Sequence, residues 1–304
     1  MKKAWLWMTA AVAGVLALEG AARLLARPWP TLGDFALRLE TLSDEFLQDD
    51  LPGVLLVGDS IVYGNDVAYA ETYPALLQRM WEDAHPTEPL AFINGGVSGL
   101  TTLYGAMLLP LLLRRFQPRV VVVSFGLNDG NFARSCLDSR LEAEFMVPRA
   151  VRLLRGSRLF TGLERRWRRW NSDCGSWEGK LWEPRVSEEA FVRALLAMVR
   201  QVKRHRAALI FLTTTPVAPG FRPELDAVSR EQLRQSCARY NALIRQVARQ
   251  TGAGLVDVYA NLQLASGDWR EDGVHLTSSG YRTLAGFLVL HLEPRRKTNM
   301  RELP

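Results

Sequence analysis

A serine hydroxyl is a weak nucleophile until a base takes its proton. A histidine serves as that base when a carboxylate fixes its tautomer and offsets its charge. Two short segments supply these residue types. The first reads Gly58-Asp59-Ser60-Ile61-Val62-Tyr63-Gly64 and follows an apolar run. Ser60 can therefore sit at a helix start, where backbone N–H groups point at incoming negative charge. Taken alone it reads equally well as a turn, because Asp and Ser also make turns and caps. The second segment is Asp272-Gly273-Val274-His275-Leu276, in which an acid precedes His275 by three residues across a glycine. The other histidines, His85, His205 and His291, lack that setting and read as structural. Two further segments offer hydrogen-bond donors. In Phe125-Gly126-Leu127-Asn128-Asp129-Gly130 the Asn128 amide can donate to a developing oxyanion, a role worth about 3 kcal/mol. In Asn94-Gly95-Gly96-Val97-Ser98-Gly99 glycines let a backbone N–H approach a ligand closely, although a tight turn explains them as well.

Residues so far apart in sequence need a scaffold that gathers them. From residue 53 onward short β-rich runs alternate with longer helical ones. Strands are expected over 54–57, 90–93, 119–125, 208–213 and 254–258, and helices over 73–83, 101–116, 187–206, 230–251 and 279–291. Asn94-Gly95-Gly96 closes the second strand in this reading, and Pro110 must kink or end its helix. Pro74 fits a first helical turn, and Ser187 with Glu188 and Glu189 fits a helix start. Nearly unbroken apolar strands separated by helices imply an α/β fold, a parallel sheet covered on both faces. Ligands bind beyond the carboxyl ends of such strands, so the loops beginning at Gly58, Asn94, Gly126 and Thr214 should meet at one edge.

Composition narrows the alternatives. Charged residues make up 23% and apolar residues 48% of the 304, as in an ordinary globular protein, and the net charge is +6. That charge alone would suit an anionic partner, but no nucleic-acid motif accompanies it, so no nucleic acid is expected. No metal is expected, because the histidines and cysteines show no ligand spacing. Cys136 and Cys174 can pair in an oxidising compartment or remain thiols, as can Cys237.

The amino terminus carries Lys2 and Lys3 and then an apolar run broken only by Glu19 and Arg23 before Arg27. Residues 1–30 fit either an uncleaved membrane anchor or a signal peptide cut near Ala22. Both place the remainder in the cell envelope, anchored to the inner membrane facing the periplasm or released as a periplasmic or secreted protein. The main domain is expected over 50–294, with an insertion at 131–185 and a tail at 295–304. Within the insertion, Arg149, Arg152, Arg155, Arg158, Arg165, Arg166, Arg168 and Arg169 interleave with apolar residues including Trp167 and Trp170. Such a stretch suits a helical cap over the domain or contact with an anionic membrane.

The four segments together, in this order at strand ends, resemble the SGNH hydrolase family, also called GDSL esterases and lipases. The resemblance runs from residue 53 to 292 apart from the insertion. It implies a three-layer α/β/α, flavodoxin-like fold with about five parallel strands. It also implies ester hydrolysis through an acyl-enzyme, with Ser60 as nucleophile, His275 as base and Asp272 orienting it. The oxyanion hole would comprise the Ser60 and Gly99 N–H groups and the Asn128 amide, with no cofactor. Asp59 and Asp129 would brace their loops, and Pro216 to Phe221 would shape a wall of the pocket. The substrate would be an acyl ester of an envelope glycan or lipid. A periplasmic acyltransferase passing the acyl group to a sugar, or a silent binding protein, would use the same scaffold.

Overall fold

The computed structural model describes residues 53–132, Asp138, Glu142 and 183–299, the last seven by backbone alone. The apolar run of residues 4–26, Cys136, Cys174 and the arginine-rich stretch of the insertion lie outside the described residues.

Five strands, β1 (Gly53–Gly58), β2 (Ala91–Gly96), β3 (Val120–Ser124), β4 (Ala208–Leu212) and β5 (Gly254–Val256), form one sheet. Their order is β2-β1-β3-β4-β5 and each neighbouring pair is parallel. The helices that flank the sheet among the described residues are α1 (Ser60–Tyr63), α2 (Tyr73–Ala84), α3 (Thr102–Phe116), α4 (Glu188–Arg204), α5 (Ala227–Thr251), α6 (Val258–Asn261) and α7 (Ser278–Asn299). Alternate strand residues point to opposite faces. Leu55, Val57, Val121, Val123, Leu209 and Phe211 therefore pack with α3, α4 and α5. Val54, Leu56, Val122, Ile210 and Leu212 pack with α1, α2 and α7. Leu55 and Leu56 are both fully buried, each contributing roughly 1.5–3 kcal/mol relative to exposure. This is why the strands read as continuous apolar runs: both faces are covered.

The three-layer fold agrees with expectation; α5 begins at Ala227 rather than 230, β5 ends at Val256 with Val258 opening α6, and three further details differ. β2 does not close at Asn94 but continues through Gly96, in register with Gly58. A side chain at Gly96 would put its Cβ 2.3 Å from the Tyr63 nitrogen. The glycine thus lets α1 lie directly on the strand, instead of ending it. Helix α3 runs unbroken past Pro110. Proline removes the N–H that would satisfy the carbonyl four residues earlier, and Gln201 Nε2 from α4 donates to that Ala106 oxygen at 3.0 Å. Helix α7 starts one residue early and reaches Asn299, past the limits set for both helix and tail. The capping expectations agree with the structure: proline occupies the first turn of α2, and Ser187 Oγ accepts from the Ala190 N–H of α4.

The connection leaving β1 runs to β2 on one side and that leaving β3 runs to β4 on the other. The gap between β1 and β3 is the point where the winding reverses, the usual place for a ligand in such sheets. Ser60 follows β1 and Asn128 follows β3, so the topology alone brings them to that gap.

Candidate active site

Asp59 caps α1 by accepting the Ile61 N–H at 3.0 Å, and this holds Ser60 as the first helical residue. The first N–H groups of any helix have no acceptor within it, so that of Ser60 is available to a ligand. Ser60 Oγ lies 2.9 Å from His275 Nε2, and His275 Nδ1 lies 2.6 Å from Asp272 Oδ2. Asp272 Oδ1 meanwhile accepts the Val274 and His275 N–H groups at 2.9 and 3.0 Å. One carboxylate thus fixes both the backbone and the ring of His275. With Nδ1–H donating to Asp272, Nε2 carries the lone pair that faces the serine.

The acid–base segment is a tight loop. Trp269 bridges Leu276 in antiparallel fashion, and the Arg270 N–H donates to the His275 carbonyl at 2.8 Å. At its tip Gly273 has φ +66°, and a Cβ there would fall 2.6 Å from Phe221 Cα. A glycine is required on both counts. The 216–222 segment grips this tip from outside. The Ala218 N–H donates to the Gly273 carbonyl, the Arg222 N–H to that of Asp272, and Trp269 Nε1 to that of Pro216. Phe221 is buried. Pro216 to Phe221 therefore buttresses the acid–base loop.

Burial raises the Asp272 carboxyl, but hydrogen bonds from the Val274 N–H and from the side chain and N–H of His275 outweigh it. The group ends below the ordinary carboxylate range.

The donor residues gather at the same edge. The Val97 N–H donates to the Gly58 carbonyl at 3.1 Å and Asn65 Nδ2 to Ser98 Oγ at 3.0 Å. The 97–100 turn, with Gly99 at φ +74°, is thereby tied to the Ser60 segment. Asn128 Nδ2 donates one proton to the Leu100 carbonyl at 3.0 Å. An amide nitrogen has a second proton, and this bond orients it. With Asn128 changed to Ala, kcat for an ester should fall by about 10²–10³ with KM nearly unchanged. Steady-state kinetics showing the reverse split would remove Asn128 from the oxyanion hole.

Asp59 and Asp129 brace their loops as expected. Asp129 Oδ1 accepts the Thr102 N–H at 2.9 Å and so caps α3 from a neighbouring loop, while Oδ2 has no hydrogen bond among the described residues. Burial pushes the Asp59 carboxyl up to about 6. For Asp129 burial is again the main cause, the Thr102 hydrogen bonding opposes it, and charge on Asp59 adds to the rise, to about 7. A raised folded-state value means stability that is complete below the unfolded value near 3.8 and is lost as pH rises through about 7. Asp129→Asn abolishes that titration. Its stability relative to the parent should improve by on the order of 3 kcal/mol between pH 4 and pH 8. Thermal unfolding at the two pH values measures this, and an equal difference at both would show that Asp129 does not titrate in that window.

Of the remaining residues singled out in the sequence, His205 ends α4 and His291 Nδ1 lies 2.7 Å from the Phe287 carbonyl. His85 lies tilted against the Trp81 ring, centroids 4.1 Å apart, and Cys237 is a buried free thiol. None of them reaches Ser60. Two residues were not foreseen. Arg185, at the close of the insertion, donates through Nε and Nη2 to Asp138 and through Nη1 to the Gly99 carbonyl at 3.0 Å. No local pattern flags either one, because the pair is formed only in three dimensions.

The sheet, with a hydrogen-bonded serine–histidine–aspartate set beside its point of reversal, defines the class: a three-layer α/β protein built around a serine-centred site. The chain matches the GDSL-like lipase/acylhydrolase family over residues 56–283, well over half its length, and belongs to that family. It is 36% identical over 77 residues to thioesterase 1/protease 1/lysophospholipase L1 of Escherichia coli K12, a match covering 25% of this chain and 35% of that protein. It is 35% identical over 78 residues to an arylesterase of Vibrio mimicus, covering 25% and 38%. The chain thus spans little more than a third of the curated relatives it matches. Among solved structures, the lipase/acylhydrolase of Enterococcus faecalis superposes with a TM-score of 0.52 at 21% identity, covering 81% of this chain and 97% of that one. A catalytic mutant of an acetylxylan esterase from Geobacillus stearothermophilus gives 0.50 at 17%, covering 79% and 93%. At these identities the likeness is one of fold.

Proposed function

We propose that this protein hydrolyses carboxylic esters through an acyl-enzyme on Ser60. The single observation that carries the reading is the unbroken chain Asp272 Oδ2, His275 Nδ1, His275 Nε2, Ser60 Oγ, with contacts of 2.6 and 2.9 Å. Ser60 Oγ attacks the ester carbonyl as its proton passes to His275 Nε2. The ring becomes positively charged, and the Asp272 carboxylate, ionised at neutral pH, stabilises it. The carbonyl oxygen takes the negative charge and is met by the Ser60 N–H, the Gly99 N–H and the free proton of Asn128 Nδ2. Collapse breaks the acyl–oxygen bond, and His275 returns the proton to the departing alcohol. Water then attacks the acyl-serine with His275 again as base, releasing the acid and restoring Ser60.

The two curated relatives are named for thioester, peptide, lysophospholipid and aryl ester chemistry. These share an acyl carbonyl bearing a sulfur, nitrogen or oxygen leaving group, the feature this site addresses. We take the natural substrate to be an acyl ester of the cell envelope, a glycan or a lipid, because the amino-terminal apolar run suits export or anchoring. Hydrolysis of p-nitrophenyl acetate and octanoate by the full chain tests the reaction, and the preference between the two separates a deacetylase from a lipid esterase. A folded protein that turns over neither ester, and whose Ser60 resists a fluorophosphonate, would defeat the proposal. Fusing residues 1–30 to a reporter active only outside the cytoplasm tests the location; a silent fusion would reject export.

A further inference from the structure

Resting on the ester-hydrolase reading, we propose that Arg185 is a positioning residue for the oxyanion hole. Through it, the 131–185 insertion governs the placement of two of the three donors. The connections are specific. The Arg185 N–H donates to the Asn131 carbonyl at 2.8 Å, so the insertion leaves and re-enters the domain at one neck. The Asn131 N–H in turn donates to the Asn128 carbonyl at 3.3 Å, and the Val186 N–H to that of Asp129 at 3.2 Å. The neck is thereby fastened to the loop that carries Asn128. From the same neck the Arg185 side chain reaches across to the other donor loop and holds the Gly99 carbonyl.

That hold adds to the bonds that tie Val97 to Gly58 and Ser98 to Asn65, and it is the one that grips Gly99 itself among the described residues. Gly99 has no side chain, and among the described residues nothing lies within 4 Å of where a Cβ would stand. No side chain anchors this residue, so the bond to its carbonyl carries weight. Across the turn itself the Leu100 N–H donates to the Val97 carbonyl at 3.3 Å. The same turn presents the Leu100 carbonyl that orients Asn128. A turn that drifts therefore misplaces the Gly99 N–H and the Asn128 amide together.

Asp138 makes Arg185 rigid enough for this task. It accepts from Nε at 3.0 Å and from Nη2 at 3.2 Å, a two-pronged pair that fixes the guanidinium plane and leaves Nη1 aimed at Gly99. The Asp138 side chain is fully buried and that of Arg185 is 17% exposed. Buried pairs of this kind add little net stability over an apolar substitute. What the pair supplies is direction. Asp138 belongs to the insertion itself, so the insertion carries both the arm and its brace.

The test uses the full chain, with the parent beside Arg185→Ala, Arg185→Lys and Asp138→Asn. Displacing oxyanion donors by a fraction of an ångström costs less than deleting one. Arg185→Ala should therefore lower kcat for p-nitrophenyl acetate by roughly 10- to 100-fold, with KM within about threefold of the parent. Inhibition by a trifluoromethyl ketone, whose serine adduct carries an oxyanion, should weaken by the same factor as kcat. The fraction of Ser60 finally labelled by a fluorophosphonate should equal the parent's, which separates misplacement from unfolding. Asp138→Asn frees the guanidinium and should show the same pattern. Lysine, a point charge without a fork, should fall between alanine and the parent.

Unchanged kcat in Arg185→Ala would overturn the assignment. So would a lysine variant equal to the parent, a loss carried by KM, or a loss explained by a smaller labelled fraction. Failure of the underlying reading looks different: the parent itself then shows neither ester turnover nor Ser60 labelling.

Discussion

Ser60→Ala is expected to reduce ester turnover by on the order of 10⁶-fold, the loss that follows when the nucleophile of a serine–histidine–acid set is removed. The donors of the oxyanion hole would remain, so a residual rate above water should persist. Any trace of parent enzyme obscures a change that large, and a fall of at least about 10⁴-fold is the decisive result. The substitution is structurally mild. The hydrogen bond from the Ser60 hydroxyl to His275 is the contact it removes, and Asp59 continues to cap α1. Thermal unfolding should therefore be nearly unchanged, and fluorophosphonate labelling should vanish. Retention of more than about a tenth of the parent's turnover would mean that another group is acylated.

Asp272→Asn should cost about 10⁴-fold in kcat. The amide preserves size and can still accept the Val274 and His275 N–H groups through its oxygen. Its nitrogen, where Oδ2 stood, cannot accept from Nδ1. The ring then turns to the tautomer with the proton on Nε2, which has no lone pair for the serine. The pH dependence follows from the carboxyl's depressed value. A depressed carboxyl is ionised throughout the neutral range and is protonated only as the pH drops below the ordinary carboxylate range. The deficit of the Asn variant should accordingly be undiminished at about pH 6 relative to about pH 8. The kcat of parent and variant at the two pH values measures it, and a deficit that stays open excludes protonation of Asp272 in that range.

The parts of this site that were legible from residues alone are those encoded locally. Asp272 and His275 are three apart, and the turn between them demands Gly273. Ser60 and Asn128 each follow a strand whose apolar run announces burial. The illegible parts depend on distant partners. Pro110 reads as a helix breaker because its cure, Gln201, bonds Ala106 from 95 residues further along. Gly95 and Gly96 read as the end of a strand because local propensity cannot show that Leu112 of α3 will pack against the first and α1 rest on the second. Arg185 reads as the edge of an insertion, since Asp138 lies 47 residues before it and Gly99 lies 86 before it. Side chains that reach across the fold leave no periodicity in the chain.

The separation of 215 residues between Ser60 and His275 has a consequence for the life of the molecule before it is finished. On the proposed reading, translation delivers the nucleophile Ser60 well before its base, His275. Until the segment around residue 275 has emerged and α7 has settled on α2, the serine is an ordinary alcohol. A partly synthesised or still unfolded chain therefore cannot acylate itself on the esters around it. The long loop that must close to join the two residues also makes their meeting a late event in folding. Reactivity of Ser60 toward a fluorophosphonate thus doubles as a clock for maturation, starting only when the two ends of the domain have found each other.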